Sequence, residues 1–265
     1  EVRQIINSDA EVVNKLGSNA MGNYLYVYKG VYATDEDVPV NPLTGERLRM
    51  GGNTSTQAYF KAGDPIWVDV NGDYIIDEKD KVIVGNSQPR MTGGISINLR
   101  YKAFSINTNC SFTLRRDIIN KALADRFRAY GTPVAGKVDL TGRGALTPIE
   151  AYNFWTEDNI YAQYPNPFDY TRSSIIQPFR YDQTLFMEDG SYFKINGISV
   201  AYTIPKKMLD FFRISRCQLN FSMNNIYTFS KYSGINPENV NNLGYDTSGG
   251  YPNGRTVTFG VSMDF

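Results

Sequence analysis

The 265 residues contain no histidine. That absence removes histidine-dependent triads, histidine-ligated zinc and haem ligation from the chemistry open to the chain. Cysteine is scarce: Cys110 and Cys217 lie 107 positions apart and match no metal-ligand spacing, and their pairing is left open. Neither sign of charge is in excess, since 27 Lys and Arg balance 27 Asp and Glu. There is no basic surplus to draw nucleic acid by counterion release, and no acidic tail. No apolar run approaches the roughly 18 residues of a transmembrane helix, which leaves a β-barrel spanning open. Glu1-Val2-Arg3-Gln4 has neither a charged nor an apolar leader region, so the expectation is no signal peptide and a start in mid-element. No Walker loop, GxSxG elbow, dinucleotide fingerprint or repeat of 20–50 residues is found, and no catalytic residue is assigned. What the chain does have is 19 Tyr and 15 Phe at a mean hydropathy of only −0.37. Rings in a polar chain need a structural reason.

Alternation supplies one. Val257, Phe259, Val261, Met263 and Phe265 alternate with Thr258, Gly260, Ser262 and Asp264. This is the period of a strand with one apolar and one polar face. The same period runs through 91–101 (Ile95, Ile97, Leu99, Tyr101), 104–114 (Phe104, Ile106, Cys110, Phe112, Leu114) and 216–226 (Cys217, Leu219, Phe221, Met223). Lys102 and Ala103 alone separate the first two, which reads as a tight hairpin. In 192–204 the phase slips between Ile195 and Ile198, and a bulge near Asn196-Gly197 would restore a single apolar face. Five strands of roughly 10–13 residues exceed the usual 5–6 of soluble sheets and suit tilted transmembrane strands. Periodicity alone does not separate lipid from a second sheet as the cover of the apolar face. Strand length and rings near strand ends (Tyr101, Phe104, Tyr192, Tyr202, Tyr227, Phe229) favour a membrane barrel with aromatic girdles. The connections alternate between short (102–103 and 205–215) and long (117–191 and 231–254), as outer-membrane barrels do.

Several segments carry a family resemblance. GSYFKINGISVAYTIP (190–205), NNIYTFSKYSGINPE (224–238), Tyr251-Pro252 and RTVTFG (255–260) resemble the last strands of SusC/RagA-type TonB-dependent outer-membrane transporters. GDPIWVDVNGDYIIDEKDKVIVGNSQPRMTGGISINLRYKAFSI (63–106) is similar to the stretch before them, with weaker likeness at 24–38 and 154–165. The resemblance implies an all-β chain, the C-terminal part of an antiparallel transmembrane β-barrel of about 22 strands, of which about five lie here. It implies a bacterial outer-membrane location and import of oligosaccharides or oligopeptides, with a SusD-like surface lipoprotein as lid. It also implies a plug and further strands elsewhere in the transporter chain, and TonB engaged through an N-terminal part that this chain lacks. On this reading 1–90 is an extracellular loop region, 91–116 a transmembrane hairpin and 117–191 a long extracellular loop. The segment 192–265 holds the last three strands, with a periplasmic turn at 205–215 and an extracellular loop at 231–254. The rival from another class is a secreted, calcium-binding all-β adhesion or binding module.

Three constellations could carry chemistry. Counting Asp69 as position 1, oxygen ligands fall at 1, 3, 5, 9 and 12 (Asp69, Asn71, Asp73, Asp77, Asp80), with the Ile75 carbonyl at 7 and Ile76 as apolar anchor. This is EF-hand spacing and would take calcium ahead of magnesium. Tyr74 stands where glycine normally makes the turn, Asp80 replaces the longer Glu, and strands flank the loop in place of helices. The alternative is an acidic solvated turn. The second constellation is Tyr152, Phe154, Trp155, Tyr161 and Tyr164, with Asp158 and Asn159 between them. Rings stack on sugars and amides bond hydroxyls, so Tyr152, Trp155, Asp158, Asn159 and Tyr161 are candidates for contact with cargo or lid. Packing within a loop of about 75 residues is the favoured alternative. A short helix is expected at Ala122–Tyr130 in the same loop. The third is a lumen-facing polar set on the strands, Asn98, Arg100, Asn107, Asn109, Gln218, Asn220 and Asn224, read either as contact with the plug or a hydrated path, or equally as a wet barrel wall with no specific role. Lys206-Lys207 reads as a cationic turn.

Overall fold

The computed structural model describes residues 22–52, 58–130, 133–134, 137–138, 151–172, 174–209, 214–246 and 253–264. Tyr251-Pro252 and Phe265, quoted above, lie outside these. The chain divides into two compact units.

The second unit (89–117, 189–238 and 249–265) is one antiparallel sheet. Its strands are β1 (Met91–Tyr101), β2 (Phe104–Leu114), β3 (Tyr192–Thr203), β4 (Arg216–Ser230) and β5 (Thr256–Asp264), and they neighbour one another in chain order. All five expected strands are present. Lys102 takes a left-handed φ of 53° to close the two-residue turn between β1 and β2. The expected bulge is found: Ile195 pairs with Cys110 and Gly197 with Asn109, so Asn196 is an extra residue opposite β2.

One boundary needs correction. The fourth strand continues to Ser230 instead of ending at 226. Its alternation breaks at Asn224-Asn225-Ile226 because it bulges there, with Asn225 at φ 53°. Between the rows of Ile195 and Ile198, β2 advances from Cys110 to Thr108, β3 by one residue more, and β4 from Tyr227 to Met223. Extra residues thus accumulate across the sheet, which increases local twist.

The first unit gathers 1–88, 118–188 and 239–248, the three segments read as outer connections. Asn23–Tyr26 pairs antiparallel with Lys81–Val84, Tyr28–Val31 with Pro65–Trp67, and Arg49–Met50 lies parallel to Ile75–Ile76. Successive residues of a strand face opposite ways. Leu25 therefore enters one core, with Ile119, Leu123, Phe127, Phe154, Phe179 and Phe186, while Tyr26 enters another, with Tyr32, Leu48, Met50, Phe60, Trp67 and Ile76. Helix α1 (Lys121–Tyr130) starts on Asn120, whose Oδ1 accepts the Leu123 amide at 3.0 Å as an N-cap. It buries Leu123, Ala124 and Phe127, one apolar stripe of a short helix. The long connection therefore does have a core, but it shares that core with residues from two other segments. Among the described residues no helix is long and apolar enough to cross a membrane.

Candidate functional site

The register assigns every strand residue to a face. Leu99, Ile106, Val200, Phe221 and Phe259 form one cross-strand row. Tyr101, Phe104, Tyr202, Leu219 and Val261 form the next, and Ile97, Thr108, Ile198, Met223 and Val257 another. This face is apolar, and among the described residues of the unit most of it is uncovered: Phe259 is 78% exposed, Tyr101 70% and Leu99 59%, while Cys217 at the turn end is buried. Leaving so much contiguous apolar surface to water is costly, and such patches mark contact with lipid or another protein. Gly93 serves the same face. A Cβ there would stand 2.6 Å from the Phe112 ring, which lies across the missing side chain.

The opposite face holds the whole expected polar set. Asn98 pairs with Asn107 across the hairpin, and the Asn107 amide donates to the Asn98 carbonyl oxygen. Ser96 Oγ donates to Asn109 Oδ1 at 2.9 Å. Arg100 pairs with Ser105, Asn220 with Ala201, Gln218 with Thr203 and Asn224 with Gly197. A shallow groove runs over Asn98, Asn107, Ser199, Ala201, Asn220 and Ser222. Neutral amides and hydroxyls dominate it, with Arg100 its one charged lining residue among those described, which suits a wetted wall.

The loop 69–80 is held by its own amides. Asp69 accepts from Gly72 at 2.7 Å and from Tyr74 at 2.8 Å. Asp73 accepts from Ile75 at 2.8 Å, and Asp77 from Lys79 at 2.8 Å. Asn71 Oδ1 accepts from Asp73 at 2.9 Å. Asp80 is buried and accepts from Val70 and Asp77. Burial, opposed by those amides and aided by the charge of Asp69, pushes its carboxyl above the usual range. Tyr74 adopts φ 62°, making the sharp turn usually left to glycine, and Ile76 is fully buried as the expected anchor. Ile75 pairs with Arg49 in the short parallel ladder. Among the described residues no three acidic side chains converge as a metal site.

The aromatic constellation splits in two. The Tyr152, Phe154 and Tyr164 rings stand 4.8, 4.9 and 5.1 Å from that of Phe127, mostly edge-on, as a packed core. Trp155 is buried, and its Nε1 donates to the Ala33 carbonyl at 3.3 Å. Asp158, Asn159 and Tyr161 sit on an exposed turn, with Tyr161 85% exposed. Asn159 Nδ2 donates to the Asn153 side chain at 2.6 Å and to the Phe154 carbonyl at 3.1 Å, tying the turn to the core. Cys110 and Cys217 are both free thiols.

Sequence reasoning missed a largely buried polar network. Arg180 makes a bidentate pair with Asp182 and stacks over the Tyr26 ring, 4.6 Å from its centroid. Lys81 reaches Asp182 at 2.8 Å. Burial works against the Asp182 carboxylate, but Arg180 and Lys81 overcome it and hold its pKa below the usual range. Gln183, fully buried, accepts from Trp67 Nε1 and donates to the Pro178 and Arg180 carbonyls, each at 2.8 Å. Arg180, Asp182 and Gln183 are near neighbours, but Tyr26, Trp67 and Lys81 come from distant segments that no spacing rule links to them, so the sequence held no signal for the network.

No family model matches the chain. Among characterised proteins, the TonB-dependent receptor P3 of Formosa agariphila is 27% identical over 256 residues, covering 91% of this chain and 22% of the receptor. Receptor P39 of the same organism is 25% identical, covering 93% and 25%. The TonB-dependent receptor SusC of Bacteroides thetaiotaomicron is 22% identical over 270 residues, covering 94% and 24%. The chain is a distant homologue of SusC/RagA-type TonB-dependent receptors. These are outer-membrane transporters and not enzymes. The chain spans about a quarter of the length of the relatives it matches. Its fold matches the RagAB peptide importer in the "open-open" state with a TM-score of 0.66 at 17% identity, over 100% of this chain and 24% of that one. A second RagAB peptide transporter structure matches at 0.64 and 18%.

Proposed function

We propose that the chain supplies five strands and the outer loops of a TonB-dependent outer-membrane importer of oligomeric nutrients. Cargo would be oligosaccharides or oligopeptides, delivered with a SusD-like lipoprotein. The observation that carries this reading is the two-faced sheet: an apolar face left uncovered, a polar face lined by amides, and distant homology to receptors of this family. The fold likeness to a peptide importer supports peptide as one of the two cargo classes. The remaining strands and the plug would come from other parts of the polypeptide, and TonB would engage that part. The segments 1–90, 117–191 and 231–254 would lie outside, and 205–215 in the periplasm. Asp158, Asn159 and Tyr161 are the proposed contacts for lid or cargo, since they alone of the aromatic constellation's candidates face solvent. Extraction tests the reading. The chain should stay with membranes through alkaline carbonate, release only with detergent, and run as part of a larger polypeptide. A soluble monomer of this segment would overturn it in favour of the secreted module.

For the loop 69–80 we propose calcium binding that stiffens an outer loop. Ligand spacing and the left-handed turn at Tyr74 support it; the self-bonded carboxylates mean that a cation must compete with amides already in place. Calorimetric titration with calcium decides. Heat that disappears in an Asp69→Ala/Asp73→Ala variant supports it, and no heat, or equal heat in both proteins, removes it.

A further inference from the structure

The turn end of the sheet carries a basic corner that a two-faced wall does not require. Tyr101, Phe104 and Tyr202 lie in one cross-strand row on the apolar face, and the Phe104 and Tyr202 rings are 4.6 Å apart. The Lys102 Nζ stands 5.2 Å from the centroid of the Tyr101 ring. The Thr203 amide donates to the Ala103 carbonyl at 2.9 Å, which fixes the end of β3 against this turn. Three residues on, across at most about 10 Å of backbone, comes the single turn α2 (Lys206–Leu209). Leu209 is buried there, while Lys206, Lys207 and the 64% exposed Met208 point outward. The described charges at this end are Arg100, Lys102, Lys206, Lys207 and Arg216 against Asp264, five positive to one negative. None of the three lysines has an ion pair among the described residues.

We propose that Lys102, Lys206 and Lys207 bind the phosphate of an anionic phospholipid headgroup at the rim of the apolar face. The inference rests on the reading that this face meets lipid and goes beyond it by naming a lipid class and a site. Aromatic rings settle at headgroup level, and long lysines keep their stems along the apolar surface while their ammonium groups reach the phosphate plane. Phosphatidylglycerol fits better than phosphatidylethanolamine, because the latter's own ammonium already neutralises its phosphate.

The full-length transporter is reconstituted in nanodiscs of phosphatidylethanolamine with a minor fraction of phosphatidylglycerol, and the retained lipids are counted by native mass spectrometry. Wild type should retain phosphatidylglycerol above its bulk fraction, less so at high salt. Lys102→Gln/Lys206→Gln/Lys207→Gln should lower that enrichment, by roughly fivefold per lysine where each acts independently. Lys206→Arg/Lys207→Arg should keep it, and serves if the glutamine variant assembles poorly. Undiminished enrichment in the glutamine variant, or no enrichment in wild type, overturns the proposal while leaving the transporter reading intact. A wild-type protein that never enters the bilayer overturns the transporter reading itself, and the lipid site with it.

Discussion

Phe127 has no exposed surface and meets the rings of Tyr152, Phe154, Tyr164, Phe179 and Phe186. Its truncation to alanine should destabilise the loop unit by about 3–5 kcal/mol, read as a lowered unfolding temperature of the detergent-solubilised protein. Tyr161→Ala should leave that temperature unchanged and weaken cargo or lid binding in a pull-down, because this ring is 85% exposed. If Tyr161→Ala left binding intact, the exposed turn would not be the contact. Asp182 makes a pH prediction. Its pKa is held below the usual range, so its contribution is present above the unfolded carboxylate pKa and lost as pH falls through the lower, folded value. Asp182→Asn should cost about 3 kcal/mol near neutrality and narrow its gap to wild type as a denaturation series is acidified. Asp64 and Asp80, raised chiefly by burial, run the other way, so the difference between the two proteins is the quantity to follow.

At the scale of elements, the strands were legible because a period of two survives without tertiary information. The bulge in β3 was legible too, since a single extra residue switches apolar positions from odd (Phe193, Ile195) to even (Ile198, Val200, Tyr202). The matching irregularity in β4 showed only as an interruption: Asn225 and Ile226 break the alternation, so the strand looked four residues shorter than it is. Relative to β2 that strand carries two extra residues, so Tyr227 and Phe229 resume the parity of Met223 and Phe221 and no slip of phase marks the bulge. Of the candidate site, the polar face followed directly from alternation. The buried share of the aromatic constellation and the Arg180–Asp182 network did not, because their partners come from segments distant in sequence. Asn225 tests the bulge. A left-handed residue costs roughly 1–2 kcal/mol when β-branched and nearly nothing for glycine. Asn225→Val should lower the yield of assembled barrel on heat-modifiability gels, whereas Asn225→Gly should not.

At the scale of the molecule, the question is what covers the apolar face. Among the described strands, β1 and β5 each leave one edge unpaired, so these five strands make an open sheet and not a closed wall. Raw edges and an uncovered apolar face together would drive association in water. Both needs are met at once if further strands extend the sheet and lipid meets its outer surface. Val257 and Thr258 separate this account from one in which protein covers the face. They are neighbours on β5 at nearly the same depth, well inside the aromatic row at the turn end; Val257 pairs with Met223 on the apolar side and Thr258 with Ser222 on the polar side. Against lipid, Val257→Arg should cost about 2–4 kcal/mol near mid-bilayer and less towards the rim, and should cut assembled protein in the outer membrane. Thr258→Arg, turned to the wetted face, should assemble close to normally. Equal tolerance of both would place the apolar face away from lipid, and equal intolerance would place both faces in protein.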